Sequence, residues 1–167
     1  MSANIRVRVP EHLIVGDDSI IDDFCYISTR LTVGRGTHIA SGCSIAGGAK
    51  FQCTIGDFCS LSSGVKVWCA SNDFVNDLIA IVPDGIETSA AEGDVEIASY
   101  SGVGANSVIL PDNHLPEGTA IGALSLVPSG FTFEPWTVYA GIPIRPIRRR
   151  NRQRVMEQVR QLTASAG

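Results

Sequence analysis

From Ile97 to Phe133 an aliphatic or aromatic residue stands at every sixth position: Ile97, Val103, Ile109, Leu115, Ile121, Val127 and Phe133. Two positions before most of them sits a small residue, Ser101, Ser107, Thr119 or Ser125. The same period runs through the first half as Val15, Ile21, Ile27, Val33, Ile39 and Ile45, and after a skip of ten as Ile55, Leu61 and Val67. Six matches neither the helical 3.6 nor the 2 of an ordinary strand. It suits a triangular coil whose three short sides each turn one side chain inward. The skip of ten is one repeat plus four residues, with Gly47-Gly-Ala-Lys as the expected bulged corner. The skip of thirty from Val67 to Ile97 is one repeat plus a twenty-four-residue insertion.

Three sides per coil sort the series into three columns. Val15, Val33, Ile55, Ile97 and Leu115 form the first; Ile21, Ile39, Leu61, Val103 and Ile121 the second; Ile27, Ile45, Val67, Ile109 and Val127 the third. Each column should stack at the spacing of neighbouring parallel strands, about 4.8 Å. Ahead of them Ile5-Arg-Val-Arg-Val9 alternates like a strand and is a candidate first edge.

The pattern changes the reading of the cysteines. Cys25, Cys43, Cys53 and Cys59 occupy the small-residue slot two positions before an inward aliphatic, and no CxxC or His-Cys grouping accompanies them. They read as wall residues, whereas Cys69, at the start of the insertion, is a candidate for contact with solvent or ligand. The 167 residues suffice for one domain with a sizeable core, and no apolar run approaches the roughly 18 residues of a membrane span. The N-terminus lacks the charged and apolar regions of a signal peptide, so a cytoplasmic protein is expected. Charge is uneven: residues 1–144 hold 6 Lys+Arg against 16 Asp+Glu, while 145–167 hold 7 Arg against Glu157 alone. The acidic body would repel nucleic acid, and none is expected as a partner.

The repeats over residues 13–150 resemble the hexapeptide-repeat acyltransferases. The resemblance is strongest in Ile121-Gly-Ala-Leu-Ser-Leu-Val-Pro-Ser-Gly and Pro135-Trp-Thr-Val-Tyr-Ala-Gly-Ile-Pro-Ile-Arg-Pro-Ile-Arg, which look like the closing coil and its Gly-x-Pro-x-Arg-x-Ile-Arg signature. Thr37-His-Ile-Ala-Ser, Ile55-Gly-Asp-Phe and Ser71-Asn-Asp-Phe look like the small sugar acetyltransferases of polysaccharide and lipopolysaccharide biosynthesis. The resemblance implies a mainly β chain: a left-handed parallel β-helix with a long loop insertion and a short C-terminal α-helix. The hand rests on the resemblance alone, since parallel crossovers are usually right-handed. It also implies homotrimers whose clefts between neighbouring prisms hold acetyl-CoA and the acceptor.

Expected domain boundaries are 1–146 for the β-helix, with the insertion at 68–94, and 147–167 for a basic helix and tail. Residues 147–162 read as an amphipathic helix with Val155, Val159 and Leu162 on one face. By the resemblance Ala105 and Ala123, one coil apart, match wall positions close to the cofactor, and both equally suit a tight corner. Arg145 and Arg148 match the signature's basic positions, and arginine's planar fork suits phosphate oxygens. Ser129 stands where relatives often carry a basic residue near the cofactor. Arg149, Arg150, Arg152, Arg154 and Arg160 read as a solvated face or trimer rim.

The insertion Trp68–Asp94 is where chemistry is expected, because a loop leaving a regular coil can reach a neighbouring subunit. In many relatives it opens with a histidine that takes the acceptor's proton; here Asn72 and Asp73 stand near that place. Asp73 could accept a proton, bind an ammonium group or cap the loop. His38 and His114 each precede an inward aliphatic and should point outward, His38 as a candidate substrate contact, while His12 reads as surface. A hydroxyl must lose a proton as it attacks a thioester, whereas a neutral amine attacks unaided, so a missing base favours an amino sugar. The expectation is an acetyl-CoA-dependent acetyltransferase acting on an amino or hydroxyl group of a sugar, nucleotide-linked or a polysaccharide precursor, with Asp73, His38 and Asn72 as catalytic candidates and no metal. The alternatives are a non-catalytic β-helix assembly module and a γ-class carbonic anhydrase, whose three zinc-binding histidines have no grouped counterpart in His12, His38 and His114.

Overall fold

The computed structural model describes residues 1–80 and 85–164; residues 81–84 of the insertion and 165–167 of the tail lie outside the described residues. The chain forms a β-solenoid of about 6 turns with a single short C-terminal helix. All three predicted columns are strand registers. On the first wall Val15 stands opposite Val33, Val33 opposite Ile55, Ile55 opposite Ile97, and Ile97 opposite Leu115. On the second wall Ile21, Ile39, Leu61, Val103 and Ile121 follow one another, and Tyr139 extends the column. On the third wall Val7 precedes Ile27, Ile45, Val67, Ile109 and Val127, so the lead-in strand Arg6–Val7 is a first edge.

The small residues two positions earlier are buried, and several of their side chains bond to the backbone of the neighbouring coil. Ser107 Oγ donates to Gly122 O at 2.9 Å, and Cys43 Sγ lies 3.3 Å from Ser62 O. All five cysteines are buried free thiols, Cys69 included, which corrects its reading as a solvent or ligand contact. Its side chain is packed beneath Gly47, where an added Cβ would lie 2.6 Å from that of Cys69. Burial pushes the Cys59 and Cys69 thiols up to about 11, so neither is a reactive thiolate at neutral pH.

The corners share a rule the period does not announce. The residue three positions after an inward side chain adopts positive φ at nearly every corner, as at Asp18, Phe24, Phe58, Tyr100, Asn106, Asp112, Leu124 and Trp136. Left-handed backbone is costly for residues with a Cβ, so these aromatic corners need compensation. Between the first and second walls they supply it to one another: Phe58 stacks on Tyr100 at 6.1 Å between ring centres, and Tyr100 on Trp136 at 6.2 Å. Where the Trp136 ring lies, Gly118 leaves room; a Cβ there would sit 2.4 Å from the indole.

The four extra residues at the first irregularity divide into one plus three. Opposite Ile27–Thr29 the partner strand gains one residue, and between Thr29 and Arg30 it gains Ala49, Lys50 and Phe51. The buried Thr29 hydroxyl holds this bulge, donating toward Gly48 O and Phe51 O at 3.0 and 2.8 Å.

The C-terminus departs from expectation. Residues 147–149 are not helical, because the strand Ile144–Arg149 pairs antiparallel with Thr137–Gly141 and its ladder runs to Arg149. The helix spans Arg152–Ala164, and Asn151 Oδ1 accepts from Arg154 N at 3.0 Å as its N-terminal cap. Of its expected apolar face, Val155 and Val159 are half-buried and Leu162 is exposed. Arg149 and Arg150 are not merely a solvated face. Arg149 pairs with Glu134 at 2.7 Å, and Arg150 donates to Tyr100 O and Gly118 O while lying 5.9 Å from the Trp136 ring centre. Phe131, Phe133 and Tyr139 close this end of the core in edge-to-face contacts.

Candidate active site

The insertion leaves the third wall as a two-stranded antiparallel ribbon, Ala70–Asn72 against Ala90–Glu92, with Asn72 opposite Ala90. Its root is fixed to the bulge on the preceding coil: Lys50 Nζ pairs with Glu92 Oε2 at 2.6 Å, and Gln52 N donates to Asp94 Oδ1 at 2.8 Å. The two interruptions of the hexad period therefore brace each other. Two hollows open between ribbon and wall. One, of about 380 Å³, is lined by Ser71, Asn72, Asp73, Phe74, Ser89, Ala90, Ala91, Leu110 and Ser129. The other, of about 590 Å³, adds Trp68, Ala70, Thr88 and Glu92 and shares Ser71, Asn72, Phe74, Ala90 and Leu110.

Asp73 is the chemically distinctive group. Its Oδ1 accepts from Val75 N and Asn76 N at 2.7 and 3.2 Å, and its Oδ2 from Asn76 Nδ2 at 2.7 Å. These donors, the Asn76 side chain first, hold its pKa below the ordinary carboxylate range. Asp73 is thus an ionised group in the lining of the smaller hollow and a weak base. Among the described residues no imidazole lines either hollow.

The structure brings Asn72, Asp73 and Ser129 together and leaves the other candidates elsewhere on the same chain. His38 points outward from the second wall, as its place before Ile39 predicts, with Nε2 2.9 Å from Asp22 Oδ2. His114 Nδ1 lies 2.9 Å from Glu96 Oε2 on the first wall. Ala105 and Ala123 stack at the corner leading from the second wall to the third, where Leu124 N donates to Ala105 O at 2.9 Å. Arg145 and Arg148 lie on the C-terminal hairpin, exposed and without an ion-pair partner among the described residues. Among the described residues no three His, Cys, Asp or Glu side chains group as a metal site would need. No helix there is long and apolar enough to cross a membrane. Sequence reasoning missed the ribbon's bracing and the Asn76 donors. The near-continuous Asn72-Asp-Phe-Val-Asn76 run was the available signal, since Asp often accepts from backbone two and three residues on.

Comparison with known proteins decides the family. The chain is 34% identical over 148 residues to dTDP-4-amino-4,6-dideoxy-D-glucose acyltransferase from Escherichia coli, an alignment covering 86% of this chain and 74% of that enzyme. It belongs to the hexapeptide-repeat sugar acyltransferases. Among solved structures this acyltransferase is similar to AntD, an N-acyltransferase from Bacillus cereus in complex with dTDP and 3-hydroxybutyryl-CoA. That match has a TM-score of 0.90 and 30% identity, and covers 99% of this chain and 87% of AntD. An AntD variant in complex with dTDP-4-amino-4,6-dideoxyglucose and coenzyme A superposes with a TM-score of 0.86 at 30% identity, covering 98% of this chain and 86% of that one. The hexapeptide-repeat acetyltransferase VCA0836 from Vibrio cholerae shares the fold of the acyltransferase, with a TM-score of 0.62 at 17% identity over 83% of this chain and 74% of that one. No protein-family model matches the chain.

Proposed function

We propose that the protein transfers an acetyl group from acetyl-CoA to the amino group of a nucleotide-linked sugar, as a cytoplasmic homotrimer serving surface-polysaccharide synthesis. The observation that carries the choice of nitrogen is Asp73, a carboxylate kept ionised by its own turn in a hollow that, among the described residues, no imidazole lines. A neutral amine adds to the thioester carbonyl without a base, and its nitrogen gains positive charge as the bond forms. Asp73 stabilises that charge. The carbonyl then re-forms as the C–S bond breaks, and the nitrogen's proton leaves with the thiolate to give free coenzyme A. The dTDP-amino-sugar chemistry of the relatives supports the acceptor class. Asn72, beside Asp73, is the partner for a sugar hydroxyl.

The other expected site residues fit a cleft completed between copies of the chain. The second wall offers Gly102, Gly104, Ala120 and Gly122 as outward positions, a flat face on which another copy or a pantetheine arm can lie close. Ala105 and Ala123 border that face, His38 stands further along it, and Ser129 faces the hollow from the third wall's far end. This reading also sets aside the non-catalytic module, which has no use for a fixed anion in a hollow.

The deciding assay follows thiol release with acetyl-CoA and a dTDP-linked 4-amino sugar, against the same sugar bearing a 4-hydroxyl. Release with the amino sugar alone is expected; equal rates would overturn nitrogen specificity. Arg145 and Arg148 are proposed to hold the phosphates of coenzyme A. A charge-assisted hydrogen bond contributes about 1.5–3 kcal/mol, so Arg148→Ala should raise the Kd for acetyl-CoA about tenfold or more by calorimetry. An unchanged Kd would remove Arg148 from the cofactor site.

A further inference from the structure

Beyond the pair Asn72–Ala90 the ribbon runs into a tip with little apolar burial. Phe74, Val75, Leu78, Ile79 and Ile86 are all exposed, Val75 by 88%. From Asn72 to Ala80 only Asp73 and Asp77 are partly covered. The residues turned inward are thus the two carboxylates, which need donors wherever water is withdrawn from them.

The two find their donors differently. Asp73 is met within its own turn, by Val75 and Asn76. Asp77 reaches across to the returning arm, where its Oδ2 accepts from Ser89 N, twelve residues on. Ser89 O in turn accepts from Asp73 N at 3.3 Å. A regular antiparallel ladder would return that bond from Ser89 N to Asp73 O; here Asp77 takes the donor instead. Ser89 is therefore held from both sides, and the two arms keep their register one residue past the last ladder pair. Ser89 and Asp73 line the smaller hollow, whereas Asp77 lines neither.

Resting on the acyltransferase reading above, we propose that Asp77 is a positioning residue for the transfer. Its carboxylate clasps Ser89, Ser89 fixes the Asp73 backbone, and Asp73 is thereby kept where the attacking amine gains charge. A backbone N–H bonds more strongly to a carboxylate than to a carbonyl, which suits a clasp at an exposed tip where water competes for every donor. The root of the ribbon is held separately, by Lys50 on Glu92 and by Gln52 N on Asp94. Loss of the clasp would leave that root in place and open the ribbon from its tip, where Asp73 sits. The stabilisation that Asp73 supplies depends on its distance from the reacting nitrogen, and a displacement of about 1 Å is enough to lose much of it. The other role open to this carboxylate is direct contact with the acceptor's ammonium group, and the two roles differ in what asparagine can replace.

Initial rates with acetyl-CoA and the dTDP-linked 4-amino sugar are measured on the full-length protein as wild type, Asp77→Ala, Asp77→Asn, Asp73→Asn and Asp73→Asn/Asp77→Ala. Hydrogen exchange at the Ser89 amide is followed on each. Asp77→Ala should lower kcat about tenfold and leave the Kd for acetyl-CoA within about twofold, with the Ser89 amide losing its protection. Asp77→Asn keeps an acceptor oxygen and should restore kcat to within about threefold of wild type. Because Asp77 acts through Asp73, the double variant should be no slower than Asp73→Asn alone. Wild-type kcat in Asp77→Ala, an Asp77→Asn as slow as Asp77→Ala, or a double variant slower than Asp73→Asn by the full factor of Asp77→Ala would each overturn the proposal. If Asp77→Ala loses its cooperative melt, Asp77→Leu, of similar size and without an acceptor, is read by the same standard. Wild-type protein that transfers no acetyl group would strike the acyltransferase reading instead; the clasp itself then falls if Asp77→Ala leaves the Ser89 amide as protected as before.

Discussion

Trp136→Ala should lower the thermal midpoint by about 10 °C, from a loss of roughly 3–5 kcal/mol on truncating a buried aromatic and about 2–4 °C per kcal/mol in a chain of this size. The indole is 9% exposed and fills the space above Gly118. It stacks on Tyr100, has the Arg150 and Arg152 guanidinium carbons 5.9 and 5.7 Å from its ring centre, and donates to Glu117 Oε2 at 3.2 Å. Removing it leaves Tyr100 strained at positive φ without its neighbour and loosens Arg150, the side chain that ties the C-terminal segment to two preceding coils. The hairpin bearing Arg145 and Arg148 should then fray first, so acetyl-CoA affinity should fall with stability. A melt within 2 °C of wild type would show that the aromatic stack is not a support.

Asp73→Asn should cut turnover by about tenfold or more, as expected for a charge placed where positive charge develops, with the Kd for acetyl-CoA nearly unchanged. Asparagine keeps one acceptor oxygen for Val75 N and Asn76 N but removes the charge. Initial rates at saturating acetyl-CoA, with calorimetry on the same protein, separate the two quantities. Unaltered turnover would reduce Asp73 to a turn residue. The pH dependence has a defined sign. Because the folded pKa is depressed, the carboxylate's contribution to the turn is complete above its unfolded value, about 3.9. It is lost only as pH falls through the lower folded value. Protection of the Val75 and Asn76 amides, followed by hydrogen exchange, should therefore be independent of pH from neutrality down to about 4 and collapse below it, and this collapse should be absent in Asp73→Asn.

Most of the fold was legible because one spacing governs it. An inward aliphatic every six residues leaves a single way to fill a triangular core, and the fifteen predicted positions stand in the predicted registers. What escaped lies off that spacing. The aromatic stack follows it at an offset of three, Phe58 after Ile55, Tyr100 after Ile97 and Trp136 after Phe133, which was visible but has no meaning until the corner is known to be left-handed. Arg149 and Arg150 read as surface because their partners are a carboxylate and backbone carbonyls from other coils, contacts that charge and periodicity do not encode. For the site, position in the insertion pointed to Asn72 and Asp73, but the lowered basicity of Asp73 depends on how its turn closes.

The stacking of one coil on the next also makes the solenoid a measuring device. A coil is eighteen residues where the period is uninterrupted, and adding or removing one changes the distance between the first edge, Arg6–Val7, and the ribbon by one strand spacing, about 4.8 Å. The inward registers of the remaining coils would be undisturbed, because each depends only on its immediate neighbours. The ribbon could not be moved alone, since its root is held by the bulge one coil earlier. Transplanted together, bulge and ribbon would move along the solenoid axis in whole-coil steps.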